Sequence, residues 1–162
     1  MLRVGAGIGY SHGVAIKPDP SQTIPADPVY VLDDQIGYVL RRVTQRHLAL
    51  FSDAIPEVTT TQFAVLARLA EQGPQSQNLL GRATAMDAAT IKGVVDRLAR
   101  QGLVATRTDA QDRRRLTVAL TDAGQALFQW RAQDALRVSD HTLAPLSTAE
   151  RAMVLHLLSR LT

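Results

Sequence analysis

At 162 residues and 46% hydrophobic content, the chain is long enough for one compact domain with an adequate core. It holds no cysteine, which removes disulfides, thiolate metal sites and any cysteine-based peroxide switch. Its 18 Lys/Arg against 15 Asp/Glu leave a net charge of only +3, with an isoelectric point near 9.8 that suits an anionic partner, and no apolar run approaches the roughly 18 residues of a membrane span.

Met1 to Pro28 carries four glycines (Gly5, Gly7, Gly9, Gly13) and four prolines (Pro18, Pro20, Pro25, Pro28) without helical or strand periodicity. It reads as an irregular N-terminal arm, residues 1–28. Ile8, Tyr10, Val14 and Ile16 also give it some apolar grip for crossing a partner subunit. The glycine-broken stretch Val4 to Tyr10 behind a single Arg3 is a poor secretory signal, and the chain is expected in the cytoplasm.

Val29 to Ala54 predicts a first long helix, with Ile36, Leu40, Val43, His47 and Phe51 in one stripe and Arg41, Arg42, Gln45 and Arg46 off it. Asp33 and Asp34 near its start suit the helix dipole. His47 on an apolar face fits a satisfied core or interface histidine; the alternative is a donor in a ligand pocket. Thr59 to Gln72 predicts a second helix with Phe63, Leu66 and Leu69 inward, ended by Gly73-Pro74. Gln75 to Ala83 gives a short helix anchored by Leu79 and Leu80.

Asp87 to Arg100 is the stretch on which the rest is organised. Ile91, Val94, Val95 and Leu98 make an apolar stripe, while Ala89, Lys92, Gly93, Asp96 and Arg100 point away from it. Asp87 is the expected N-cap and Gly102 the C-terminal stop. Leu103–Thr108 and Arg115–Leu120 have strand character, with Leu116, Val118 and Leu120 alternating against Thr117 and Ala119. Between them lies a polar tip, Asp109 to Arg114. A helix pair followed by a hairpin bearing Arg113, Arg114 and Arg115 is a winged helix-turn-helix. A helix about 10–12 Å wide fits a major groove about 12 Å wide, and arginine on a narrow hairpin follows phosphates or enters the minor groove. From Arg82 to Arg115, eight Lys/Arg stand against four Asp, so this segment's +4 exceeds the charge of the entire chain. That is the footprint of a nucleic-acid surface.

Thr121 caps a long helix to about Thr142, with Leu127, Phe128, Ala132, Ala135, Leu136 and Val138 as apolar positions and Trp130 as a packing residue. Ser147 to Glu150 is a capping box that opens a last helix to Leu161. Met153, Leu157, Leu158 and Leu161 on it are available for a seam with a partner helix. The expected fold is therefore mainly α with a small β-hairpin wing, a DNA-binding lobe over 59–121, and long dimerisation helices over 29–54 and 122–162. Pairing across a two-fold axis sets two recognition helices apart and imposes a palindromic operator, with half-sites roughly 34–36 Å apart.

At these residues the chain resembles the MarR family of bacterial transcriptional regulators. The wing signature D-x-x-D-R-R stands as Asp109-Ala-Gln-Asp112-Arg113-Arg114, and V-x-L-T-x-x-G as Val118-Ala-Leu120-Thr121-Asp-Ala-Gly124. Val95-Asp96-Arg97-Leu98 with Gly102-Leu103-Val104, and Thr59-Thr-Thr-Gln62-Phe63-Ala-Val65-Leu66, match the helix patterns, so the resemblance covers about Val29 to Leu161. It implies a homodimeric repressor of double-stranded DNA released by a small aromatic carboxylate. A fainter likeness points to regulators of nicotinate or other aromatic-acid breakdown.

By position, the resemblance puts DNA contacts on Ala89, Thr90, Lys92 and Gly93, with Arg97, Arg107 and Arg115 beside them. The minor-groove wing position falls on Arg113 or Arg114, and Asp112 orients the wing arginine. Gly93 stands where many members carry a larger polar or basic side chain. Glycine there allows close backbone approach, and Ala89 suits a thymine methyl. Tyr38, Arg42, His47, Phe63 and Arg107 are the pocket candidates.

Three other readings compete. An enzyme is disfavoured, because no phosphate loop, H-E-x-x-H or G-x-S-x-G occurs. No cofactor or metal is expected. A metal-responsive regulator would have to use His47, His141 and His156 with carboxylates. An interaction module without DNA binding is the last alternative, motivated by Gly93 and Ala89.

Overall fold

The structure, a computed structural model, describes residues 29–108 and 116–162. The N-terminal arm and the wing tip, including Asp112, Arg113, Arg114 and Arg115, lie outside the described residues. Six helices and three short strands follow in the order α1 (Ile36–Ala54), α2 (Thr60–Gln72), β1 (Gln75–Ser76), α3 (Gln77–Ala83), α4 (Ala88–Arg100), β2 (Val104–Thr108), β3 (Leu116–Leu120), α5 (Asp122–Thr142) and α6 (Thr148–Ser159).

The first helix begins later than its sequence pattern indicates. Leu32–Asp34 forms a single 3-10 turn, and Gln35 is extended at φ −86°, ψ 123°. The Gln35 side-chain amide donates to the Val31 carbonyl at 2.9 Å, an alternative to helical bonding. Asp33 is thus outside the helix and pairs loosely with Arg42 at 3.7 Å. At the other end of the chain, α6 stops at Ser159 rather than Leu161.

Gln75 and Ser76 also depart from the expected helix. They pair with Val118 and Thr117 as an edge strand, so the sheet has three antiparallel strands in the order β1-β3-β2 rather than a bare hairpin. Ser76 ends the strand and starts α3 together, because its Oγ accepts from the Leu79 amide at 3.3 Å. Of the two expected anchors on α3, Leu80 is fully buried and Leu79 is 45% exposed. Successive helical residues point about 100° apart, and on α3 the Leu80 direction meets the core while the Leu79 direction does not.

The core lies where α2, α3, α4 and the sheet converge. Val65, Leu66, Leu80, Val95, Leu98 and Val118 are completely buried there, and Ile91 and Val94 nearly so. The α4 stripe is thus the inward face of that helix. Phe51, Phe63 and Phe128 tie α1 and α5 to the same core, with ring centroids 5.7 and 5.6 Å apart. α1 and α5 run antiparallel: Arg46 donates to the His141 carbonyl at 3.1 Å, and His47 Nδ1 lies 2.9 Å from Thr142 Oγ1.

The segment L-T-x-x-G acquires a physical reason at the root of the hairpin. Leu120 pairs with Val104. Thr121 Oγ1 donates to the Gly102 carbonyl at 2.6 Å and accepts from the Gly124 amide at 3.1 Å, so one hydroxyl closes the hairpin and caps α5. Gly124 then lies so near Leu103 that a methyl group on it would stand 2.0 Å from the Leu103 carbonyl oxygen. Gly124→Ala is therefore expected to cost about 3 kcal/mol or more, read from the urea midpoint. An unchanged midpoint would mean that the hairpin root is not packed in this way.

Candidate nucleic-acid interface

With Ile91, Val94, Val95 and Leu98 turned inward, the opposite face of α4 is left to solvent. Asp87 starts the helix by accepting from the Thr90 amide at 2.7 Å, and its second oxygen accepts from the Thr90 hydroxyl at 3.0 Å. These bonds, the amide first, hold the Asp87 carboxyl below its ordinary value of 3.8. Ala89, Thr90 and Lys92 follow as exposed positions in the first two turns. Lys92 Nζ forms an ion pair with Asp96 at 2.7 Å, one helical turn on. Arg100 donates to the Asp96 carbonyl at 3.3 Å.

Gly93 leaves a gap on this face, and Arg97 bends back over it. A methyl group at position 93 would sit 3.7 Å from the Arg97 guanidinium, an ordinary contact distance. Arg97 and Arg100 also line an open cleft of about 380 Å³ with Gln62 and Gln101. Arg107 is exposed on β2 opposite Thr117. The sequence-derived set Ala89, Thr90, Lys92, Gly93 and Arg97 thus lies on one exposed, side-chain-poor face of one helix, and Arg107 lies on the strand that leads to the wing.

The five pocket candidates do not form one site. Tyr38 and Arg42 meet, the guanidinium lying 5.7 Å from the ring centroid, and Arg42 lines a groove of about 310 Å³ with Val39, Val43 and Arg46. His47 lies 6.4 Å from Phe51, which in turn contacts Phe63, so His47 and Phe63 belong to the aromatic run into the core. Among the described residues, Arg107 makes no hydrogen bond or ring contact to the other four. Trp130 is not a packing residue within this chain: it is 64% exposed, with the Arg131 guanidinium 3.8 Å from its ring centroid. It sits on the outer face of α5, opposite Phe128, beside an open cleft of about 530 Å³.

Several polar groups that sequence reasoning passed over organise the ground behind α4. Arg131 on α5 forms an ion pair with Glu57 in the α1–α2 corner and another with Asp134 at 3.0 Å; Asp134 also pairs with Arg137. The Arg131 bond holds the Glu57 carboxyl below its ordinary value, and bonds from Arg131 and then Arg137 do the same for Asp134. The capping box of Thr59 and Gln62 was visible in the T-x-x-Q spacing. Nothing in the spacing of Glu57 and Arg131, 74 positions apart, marks them as partners.

Among the described residues, no three His, Cys, Asp or Glu side chains gather to hold a metal ion, and no helix is long and apolar enough to cross a membrane. The MarR family model matches residues 58–116, from the start of the second helix through the wing. The chain is 37% identical over 147 residues to the HTH-type transcriptional repressor NicR of Pseudomonas putida, a match that covers 90% of this chain and 93% of that protein. The chain belongs to the MarR family.

A solved structure of a probable transcriptional regulator from Pseudomonas aeruginosa is 50% identical, with a TM-score of 0.79 over 82% of this chain and all of that one. Another, of Bordetella bronchiseptica BpsR, concerns regulation of its DNA binding by 6-hydroxynicotinic acid. It is 39% identical, with a TM-score of 0.77 over 82% of this chain and 96% of that one. As a MarR-family protein, the chain is a DNA-binding transcriptional regulator and not an enzyme.

A carboxylate held below its ordinary value binds its proton less readily folded than unfolded. Its stabilising contribution is complete above the ordinary value, 4.5 for Glu57 and 3.8 for Asp134, and is lost as pH falls through the folded-state values. Urea denaturation followed downward from about pH 5 should therefore show a shallower loss of stability in Glu57→Gln than in the parent protein. Identical slopes would remove the Glu57–Arg131 pair from the acid response.

Proposed function

We propose that this MarR-family protein is a cytoplasmic homodimeric repressor that holds a palindromic operator with α4 and the wing and releases it when a small aromatic carboxylate of the hydroxynicotinate type binds. The observation that carries the DNA part is the outer face of α4: exposed, flanked by Lys92, Arg97 and Arg100, and bare of bulk at Ala89 and Gly93. In this reading Thr90, Lys92 and Arg97 contact the duplex from α4, and Arg107, Arg113, Arg114 and Arg115 contact it from the hairpin, with Asp112 orienting the wing arginine. Residues 59–121 act as the DNA-binding lobe.

The dimer reading is supported by the apolar surface left on α1, α5 and α6. Ile36 is 62% exposed, Leu136 59% and Met153 56%, and α6 buries none of its residues within the chain. Apolar cover on that scale suits a partner subunit. The effector reading draws on the likeness to NicR and BpsR together with Arg42, a cation within reach of an aromatic ring on α1. An aromatic carboxylate needs both a cation and a ring-binding wall, and Tyr38 stands beside Arg42, while His47 and Phe63 lie on the separate aromatic run into the core.

The direct test is a fluorescence-anisotropy titration with duplex from upstream of the gene, repeated across salt concentrations. Lys92→Ala and Arg107→Ala should each reduce the salt slope by about 0.9 for every phosphate contact removed. Addition of 6-hydroxynicotinic acid should release the DNA and, at 100 times its dissociation constant, stabilise the free protein by about 2.7 kcal/mol. Binding that persists unchanged in the acid's presence would reject this effector class.

Gly93→Ala separates reading from folding. The site has room for a methyl group, so the substitution should stabilise α4 by about 1 kcal/mol. If the backbone at Gly93 approaches the duplex closely, the same change should weaken operator binding about tenfold, within the range for one disturbed contact. A variant that is more stable and binds equally well would show that Gly93 is not at the interface.

A further inference from the structure

We propose that Gln101 is a positioning residue that ties the C-terminal end of the recognition helix to the α1–α2 corner and, through Glu57 and Arg131, to α5, and so sets the angle at which α4 is offered to DNA. The proposal rests on α4 being the element that meets the duplex. It concerns residues outside the contacting face.

The linkage starts in the core. Gln62 is only 5% exposed. Its Oε1 accepts from the Thr59 amide at 2.9 Å, the reciprocal half of the α2 capping box, and its Nε2 donates to Gln101 Oε1 at 3.0 Å. The Gln101 amide nitrogen donates in turn to the Glu57 carbonyl at 3.4 Å. Both ends of the Gln101 side chain are therefore engaged at the C-terminal end of α4, one on α2 and one on the corner before it. The Glu57 side chain continues the chain of contacts to Arg131, and Arg131 to Asp134, both on α5.

Directional bonds do what the apolar stripe does not. Ile91, Val94, Val95 and Leu98 bury area, and burial is non-directional, so small rotations of α4 about its axis change it little. Hydrogen bonds weaken steeply with misalignment, and a buried amide left unpartnered is costly. Gln101 stands at the helix end opposite the Asp87 cap, where a tilt of α4 pivoting at that cap moves the backbone furthest. Glu57 Oε2 and Arg131 Nε are shielded from solvent without a hydrogen-bond partner among the described residues, although the two side chains are only half-buried, so the Glu57–Arg131 contact is what answers the charge at that corner.

The absence of cysteine makes the test straightforward. Spin labels on Ala99→Cys in α4 and Gln133→Cys in α5, both exposed positions, diluted with unlabelled protein so that each pair lies in one subunit, report the α4–α5 distance without DNA. In the Gln101→Ala background the distance distribution should broaden while helix content is unchanged. Gln101→Glu keeps the acceptor for Gln62 and should narrow it part of the way back.

For DNA, a duplex selected by the parent protein from a random pool should bind Gln101→Ala about tenfold more weakly. The salt slope should not change, because Gln101 is neutral and no Lys or Arg is removed. A distance distribution identical to the parent's would overturn the proposal whatever the DNA result. Failure of the parent protein to select any duplex would reject α4 as the DNA element, and the label distances would still decide the link.

Discussion

Four structural features meet where the Leu103 carbonyl presses against the α-carbon of Gly124. The recognition helix ends at Arg100, and Gly102 turns the chain at φ +71°, a backbone state that glycine adopts without strain. β2 leaves from that point, and β3 returns to it, because Thr121 bonds back to the Gly102 carbonyl. α5 starts within the same few ångströms. The roots of recognition helix, wing and dimerisation helix are therefore one rigid corner, and an added methyl group at Gly124 has no soft neighbour to displace, only backbone. Whatever moves α5 moves the reading elements with it.

That rigidity gives the charges on α4 their meaning. Asp87 and Asp96 do not oppose the duplex, because both are turned to internal use. Asp87 satisfies the free amides at the helix start, and Asp96 holds Lys92 while its carbonyl receives Arg100. An exposed ion pair of this kind is worth only about 0–1 kcal/mol, so in the proposed reading Lys92 would exchange Asp96 for a phosphate at small cost. Until then the lysine is held along the helix rather than free in solution, which reduces the side-chain entropy lost on binding.

How far this was legible in the sequence depends on the range of the interaction. The α4 stripe, the Asp87 cap, the Thr59 and Ser147 capping boxes and the glycine stop all rest on residues within four positions of one another. Local periodicity and hydrogen-bond chemistry define them. The start of α1 was misread because the stripe from Ile36 onward extends backward in pattern to Val29, while Gln35 breaks the backbone with a bond to Val31 that hydrophobic periodicity does not register. β1 was invisible for a different reason. Two residues beside Pro74 carry no strand signal of their own, and they are strand only because β3 passes alongside. Trp130 shows the same limit for packing: it reads as a packing residue, but within its own chain helix geometry places it on the outer face of α5. The Glu57–Arg131 and Gln62–Gln101 contacts are long-range pairings of common polar residues, and no spacing rule selects them.

The uncovered apolar faces bear on how a ligand would be felt. Tyr38 and Arg42 lie in the N-terminal half of α1, on the same stretch as Ile36, Val39, Leu40 and Val43, whose side chains stay largely exposed among the described residues. A carboxylate gripped by Arg42 would therefore bind at the seam and not on the recognition helix. Its binding energy can act on DNA only to the extent that it differs between two arrangements of that seam. The antiparallel packing of α1 on α5, fixed at one end by Arg46 and His47 and at the other by the Glu57–Arg131 pair, is the route by which such a difference would reach the corner at Gly124. A tilt of α5 is then converted into a change in recognition-helix spacing, and two helices that must fit one duplex together tolerate very little of it.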